Sequence, residues 1–199
     1  MGTAAASTRI GRPRSPEADR AIVQATLELI ADEGLAAVTV EAVAARAGVG
    51  KTTVYRRWAG KDELVVDALA SLNDDLEPIG AGSASELLVR LLDQLRLRAQ
   101  CTVGGRIFPV MAACSGTHPQ LWAVFHERVL EPRRELLRSL LRDGVRSGEL
   151  RSDLDIELAV NLLVGGMVYA LNLRPPGEVV ADDYAARLVA LALAGLSGP

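Results

Sequence analysis

The chain has 199 residues, of which 49% are apolar and 24% charged, with a formal net charge of −3. That apolar share excludes a disordered chain, and no apolar run approaches the roughly 20 residues that a bilayer-spanning helix needs. The acidic total hides an asymmetry: residues 1–60 carry 8 Lys or Arg against 6 Asp or Glu, and the other 139 carry 14 against 19.

A positive end on an acidic protein is compatible with binding a polyanion there. Residues Met1 to Arg9 lack the apolar stretch of a signal peptide, so a cytoplasmic location and no membrane partner are expected. Two cysteines, Cys101 and Cys114, suit a reduced compartment better than a disulfide framework. Each reads as a small buried apolar residue, with a redox-sensing thiol as the alternative.

In chain order, residues 1–15 form a basic arm. Arg9, Arg12 and Arg14 in it suit a narrow minor groove, where negative potential is enhanced. A solvated tail is the competing reading. Ser15-Pro16-Glu17 predicts a helix start, with a cap, a first-turn proline and a first-turn acid. Ile22, Ala25, Leu29 and Ile30 give that helix an inward stripe, and Gly34 ends it.

The next stretch, residues 39–61, is the most informative. Thr39 is a natural N-cap, and Val40, Val43, Ala44 and Ala47 recur at three- and four-residue spacing. Gly48 predicts a left-handed stop. A second helix begins near Gly50 or Lys51, with Val54 and Trp58 sharing an inward face. Lys51, Thr52, Thr53, Tyr55, Arg56 and Arg57 fill the rest of it. Cations and hydroxyls at a helix start are what phosphates and major-groove edges require, so the pair predicts a helix-turn-helix. A charge run alone would more often mark a solvated face. Here cap, glycine turn, apolar face and cationic face coincide.

Residues 16–70 resemble the DNA-binding end of the TetR/AcrR family of bacterial transcriptional repressors. The resemblance rests on Ala-Asp-Glu-Gly-Leu-Ala-Ala-Val-Thr-Val at 31–40, Val-Tyr-Arg-Arg-Trp at 54–58 and Gly-Lys-Asp-Glu-Leu at 60–64. Gly50 stands where family members often carry a serine cap, a difference of a few tenths of a kcal/mol. The resemblance implies a double-stranded DNA operator contacted by Lys51, Thr52, Thr53, Tyr55 and Arg57. Lys51 and Thr52 would read bases, Thr53 and Tyr55 would donate to phosphates, and Lys61 would add a phosphate-binding charge. Arg46 and Thr39 would brace the backbone from the first helix of the motif.

Asp62-Glu63 predicts a connecting helix toward Leu76, and Pro78–Gly82 is a turn-rich break. The expected division is arm 1–15, reader 16–62, connecting helix 63–78 and body 79–199. Every later segment reads helical: a leucine stripe from Leu87 to Leu95, a short helix Ile107–Cys114, a long one Leu121–Arg146 kinked or restarted at Pro132, an apolar one Ile156–Leu173, and Asp182–Leu196. No strand-like alternation occurs, and the expected class is all-α.

For the last two helices the resemblance implies a homodimer interface, to which we assign Leu158, Leu162, Gly165, Gly166, Tyr169, Leu188 and Leu191. An intrachain core is the alternative. A small-molecule effector pocket would be lined by Leu88, Leu92, Phe108, Met111, Trp122, Phe125 and Met167, with Arg106 or His118 as polar contacts; ordinary core is the alternative for each.

No catalytic set is present. The two histidines, His118 and His126, are eight apart, without the spacing of a helical metal site, and no glycine loop cradles a phosphate. Neither cofactor nor metal is expected. The competing reading is a small helical ligand-binding protein or enzyme with an incidental basic segment, which would bind duplex DNA with little salt dependence.

Overall fold

Pro16 brings a ring already at helical φ to a first turn where its missing amide costs nothing, and Glu17 and Asp19 face the positive helix end. The helix they open, α1 (Pro16–Glu33), stops at Gly34, whose φ of 83° disfavours any side chain. The computed structural model describes residues 16–74, 78–173, 175 and 177–196. The predicted arm with Arg9, Arg12 and Arg14, and the cap Ser15, lie outside the described residues.

The remaining helices are α2 (Val40–Arg46), α3 (Lys51–Tyr55), α4 (Lys61–Ala70), α5 (Ala84–Cys101), α6 (Val103–Ala113), α7 (Pro119–Phe125), α8 (Glu131–Ser147), α9 (Ile156–Asn172) and α10 (Tyr184–Leu196). The described residues contain no strand, so the all-α expectation holds.

Three boundaries differ from expectation for local reasons. The connecting helix ends at Ala70 rather than near Leu76, giving way to a single tight turn at Ser71–Asn73. Ser71 Oγ donates back to the Ala68 carbonyl at 2.7 Å, and Asn73 Nδ2 donates to the Arg128 carbonyl at 2.7 Å, so side chains compete with the helix ladder. The short helix predicted at Ile107 begins four residues earlier, at Val103. A side chain on Gly105 would strike the Ala99 carbonyl, so the α5–α6 corner closes only around glycine. The long helix expected from Leu121 to Arg146 is α7 and α8 joined by a π-helical turn, His126–Leu130. Pro132 lies in the first turn of α8, where its ring would collide with a carbonyl four residues back; the wide turn absorbs that conflict.

Two apolar clusters hold the fold. The first joins Ile22 and Ile30 of α1, Val43 of α2, Val54 of α3 and Leu64 and Leu69 of α4, all 3% exposed or less. It does not stop at the break before α5: Ile107 and Met111 of α6, Phe125 of α7 and Val129 belong to it. The second joins Leu88 and Leu92 of α5, Leu141 of α8, Val160, Leu163 and Met167 of α9 and Val189 of α10. The body therefore grips the reader through α6 and α7, while α5, α8, α9 and α10 pack on one another.

Candidate nucleic-acid interface

Thr39 Oγ accepts from the Ala42 amide at 3.0 Å and caps α2, as its position predicts. Gly48 turns the chain at φ 66°, and the Val49 amide donates to the Ala44 carbonyl at 3.0 Å, closing the helix end. Val54 is fully buried and Trp58 is 6% exposed, so α3 is fixed by its inner side. Trp58 Nε1 donates to Asp67 Oδ2 of α4 at 3.0 Å, tying reader to connecting helix.

This anchoring leaves Lys51, Thr52, Tyr55 and Arg56 exposed and Thr53 half-buried. Tyr55, a large side chain at 54% exposure, has no fold reason to be there. Gly50 caps α3 without any side-chain bond, so nothing crowds the helix start. Lys51 Nζ lies 2.9 Å from Glu41 Oε1, with both side chains more than half exposed. The hydrogen bond from Lys51 is the main reason the Glu41 carboxyl sits below the usual carboxylate range.

Three cations expected on this surface have other duties. Arg46 pairs with Asp32 at 3.1 Å and Glu33 at 2.7 Å, binding α2 to the end of α1. Arg57, whose side chain is 8% exposed, pairs with Asp19 of α1 and donates through Nη1 to the Thr53 carbonyl at 3.0 Å. Lys61 Nζ donates to the Leu35 carbonyl at 3.0 Å. In the free protein, Arg46 and Arg57 face carboxylates of α1 rather than an open surface.

Behind the reader lies a cavity of about 1450 Å3, walled by α1, by the start of α6 and by α5, α7, α8 and α9. Of the lining residues expected, Leu92, Phe108, Trp122 and Phe125 face it. Leu88, Met111 and Met167 do not: each is fully buried in an apolar cluster, because a helical stripe packs tightly wherever a neighbour supplies the opposing side chains. Neither expected polar contact is in place. Arg106 hydrogen-bonds Asp32 of α1, and exposed His118 has Nδ1 3.0 Å from Thr117 Oγ.

The cavity's polar lining instead includes Arg98 of α5 and Arg133 of α8, which sequence reading missed. Arg133 donates to Asn73 Oδ1 at 2.9 Å and the Leu72 carbonyl at 3.0 Å. Burial, and then the neighbouring Arg98 charge, push its pKa down to about 10. Cys101, expected to be buried, is exposed and lines the same cavity, while Cys114 is half-buried.

On α9, Leu158, Leu162 and Tyr169 are 65%, 50% and 66% exposed, and Leu191 of α10 is 76% exposed. Gly165 lies on their side with open space above it. Gly166 and Leu188 do not belong to that outward face. A side chain on Gly166 would come within 2.9 Å of Leu188 Cδ1, so these two join α9 to α10 inside the chain. Among the described residues no group of three potential ligands could hold a metal ion, and no helix is long and apolar enough to cross a membrane.

Comparison with known proteins agrees with this geometry. The profile described as "Bacterial regulatory proteins, tetR family" matches residues 22–68, and the one described as "Tetracyclin repressor-like, C-terminal domain" matches residues 78–192. The HTH-type transcriptional regulator YdeS of Bacillus subtilis strain 168 is 32% identical over 187 residues, covering 94% of this chain and 93% of its own. The TetR-family regulator SCO0332 superposes with a TM-score of 0.66 at 29% identity, over 92% of this chain and 100% of its own. A TetR regulator from Agrobacterium tumefaciens has the same fold, with a TM-score of 0.70 at 22% identity, over 92% of this chain and 95% of its own. Family match, near full-length relative and an exposed helix-turn-helix agree: the chain belongs to the TetR family, as a DNA-binding transcriptional regulator and not an enzyme.

Proposed function

We propose that the chain is a ligand-responsive cytoplasmic repressor that binds a palindromic operator as a homodimer. The observation carrying this reading is the outer face of α3, where Lys51, Thr52, Tyr55 and Arg56 stand exposed over a buried Val54. Lys51 and Thr52, nearest the helix start, would meet base edges. Thr53 and Tyr55 would donate to phosphates, and Arg56 and Lys61 would add charge. The arm with Arg9, Arg12 and Arg14 would follow the backbone into the adjacent minor groove.

A second copy is supported by the stripe Leu158, Leu162, Gly165 and Tyr169 with Leu191, apolar surface that one chain leaves uncovered. The cavity would take the effector. Its occupancy would bias the separation of the two readers through α4 and through Arg106 and Arg46, which share Asp32.

Selection of bound sites from random duplexes tests the reading. The expected result is a palindrome with half-sites about one helical turn, ~10 bp, or a multiple apart. Recovery of unrelated sequences with no two-fold symmetry would refute it. Leu158→Glu with Leu162→Glu should yield monomers by sedimentation and lose the palindrome preference.

A further inference from the structure

The walls of the cavity are mainly apolar, yet two half-buried guanidinium groups, Arg98 and Arg133, stand in them without a counter-charge. Arg98 makes no side-chain hydrogen bond or ion pair among the described residues, and Arg133 is held by neutral oxygens alone. Arg20 and Arg56 also line the cavity without a carboxylate, but both are exposed, and Arg20 donates to the Pro16 carbonyl at 3.4 Å. Arg134 has Glu131 at 3.8 Å, Glu157 at 3.6 Å and Asn161 at 3.0 Å; Arg57 has Asp19; Asp67 accepts from Trp58. Asp74 lines the cavity too, but it is exposed and pairs with neither arginine.

We infer that the cavity takes a lipophilic carboxylate, its anionic head seated at Arg98 and Arg133 and its apolar body against Leu92, Phe108, Trp122 and Phe125. This rests on the reading of the cavity as the effector site and gives that effector a chemical class. Two like charges sharing a partly desolvated wall repel, and a carboxylate relieves both at once. Arg133 Nη1, which has no partner among the described residues, and the Arg98 guanidinium present the planar donors that a carboxylate matches. A cationic ligand would add a third positive charge, and a neutral one would leave both arginines uncompensated.

The chain's two tryptophans, Trp58 and Trp122, both line the cavity, so their emission reports occupancy, with calorimetry as the independent measurement. The probes are dodecanoate, dodecanol and dodecyltrimethylammonium below their micelle concentrations: one apolar body with three heads. Dodecanoate should bind saturably, about tenfold or more tighter than dodecanol, the size of a charge-assisted hydrogen bond. The ammonium probe should not bind.

Arg98→Gln should weaken dodecanoate by about tenfold and leave dodecanol within about twofold. Arg133→Gln should act in the same direction, but Arg133 also holds Leu72 and Asn73, so Arg98 is the decisive position. Equal binding of dodecanoate and dodecanol, or an Arg98→Gln variant with unchanged dodecanoate affinity, would overturn the carboxylate and leave the cavity a ligand site. Failure of all three probes would overturn the carboxylate and the effector-site reading together.

Discussion

Arg57→Gln is expected to unfold the protein earlier rather than to loosen its hold on phosphates. The Arg57 side chain is 8% exposed and its partner Asp19 is 39% exposed, so the pair lies between two regimes. Removing one member of a fully buried pair costs about 3–5 kcal/mol, whereas an exposed pair contributes about 0–1 kcal/mol. Partial exposure of Asp19, together with the lost bond from Arg57 to the Thr53 carbonyl, puts the cost at about 1–3 kcal/mol. For a chain of this size each kcal/mol lowers Tm by roughly 2–4 °C. The assay is a double-mutant cycle of Arg57→Gln, Asp19→Asn and both, by thermal and urea unfolding, with a coupling of about 1 kcal/mol or more expected. Salt titrations of DNA binding on the same proteins should show an unchanged slope. A wild-type Tm combined with a slope lower by about one unit per protomer would make Arg57 a phosphate contact and refute the assignment.

Tyr55→Phe removes only a hydroxyl from an exposed ring, so operator binding should weaken by about 0.5–1.5 kcal/mol with Tm unchanged; unaltered gel-shift affinity would take Tyr55 out of the contact set. Glu41→Gln frees Lys51 from its 2.9 Å pair and removes a negative charge beside α3. DNA affinity should rise about two- to fivefold at low salt, with the gain fading as salt rises; a fall in affinity would show that the pair positions Lys51. Asp32 should mark the acid limb of stability. The Arg106 hydrogen bond, aided by the Arg106 and Arg46 charges, holds the folded carboxyl below its ordinary value of 3.8. Its contribution is therefore full above about pH 3.8 and is lost as pH falls below that value. The Tm gap between wild type and Asp32→Asn should close over that range, and a gap constant down to pH 2 would exclude the mechanism.

What could be read from the sequence is what local chemistry decides. Thr39, Gly48, Val54 and Trp58 take their predicted places because a cap, a left-handed turn and an apolar face need only neighbouring residues. Arg46 and Arg57 are another matter. Whether a guanidinium meets a phosphate or a carboxylate depends on how α1 packs against the motif, and Asp32, Glu33 and Asp19 are distant in sequence.

The cavity was half readable for a similar reason. Phe108, Trp122 and Phe125 stand out by size, but nothing in a stripe tells a packed wall from a hollow one. Leu88, Met111 and Met167 accordingly proved to be core. Arg133 did leave a signal: it follows Val129 and precedes Leu137 at four-residue intervals, a cation set into an apolar face.

The π-helical turn at His126–Leu130 has a consequence for where empty space can exist. Phe125 and Leu137 both face the cavity although twelve residues separate them. At about 100° per residue an unbroken α-helix would aim them about 120° apart, whereas a wide turn that absorbs one residue brings them within about 20°. The hollow thus arises from phase rather than from small side chains. Deleting one residue between 126 and 130 would let a plain α-helix replace the wide turn with the walls still within about 20°, whereas adding one more residue would swing one wall by about 100° and shut the chamber.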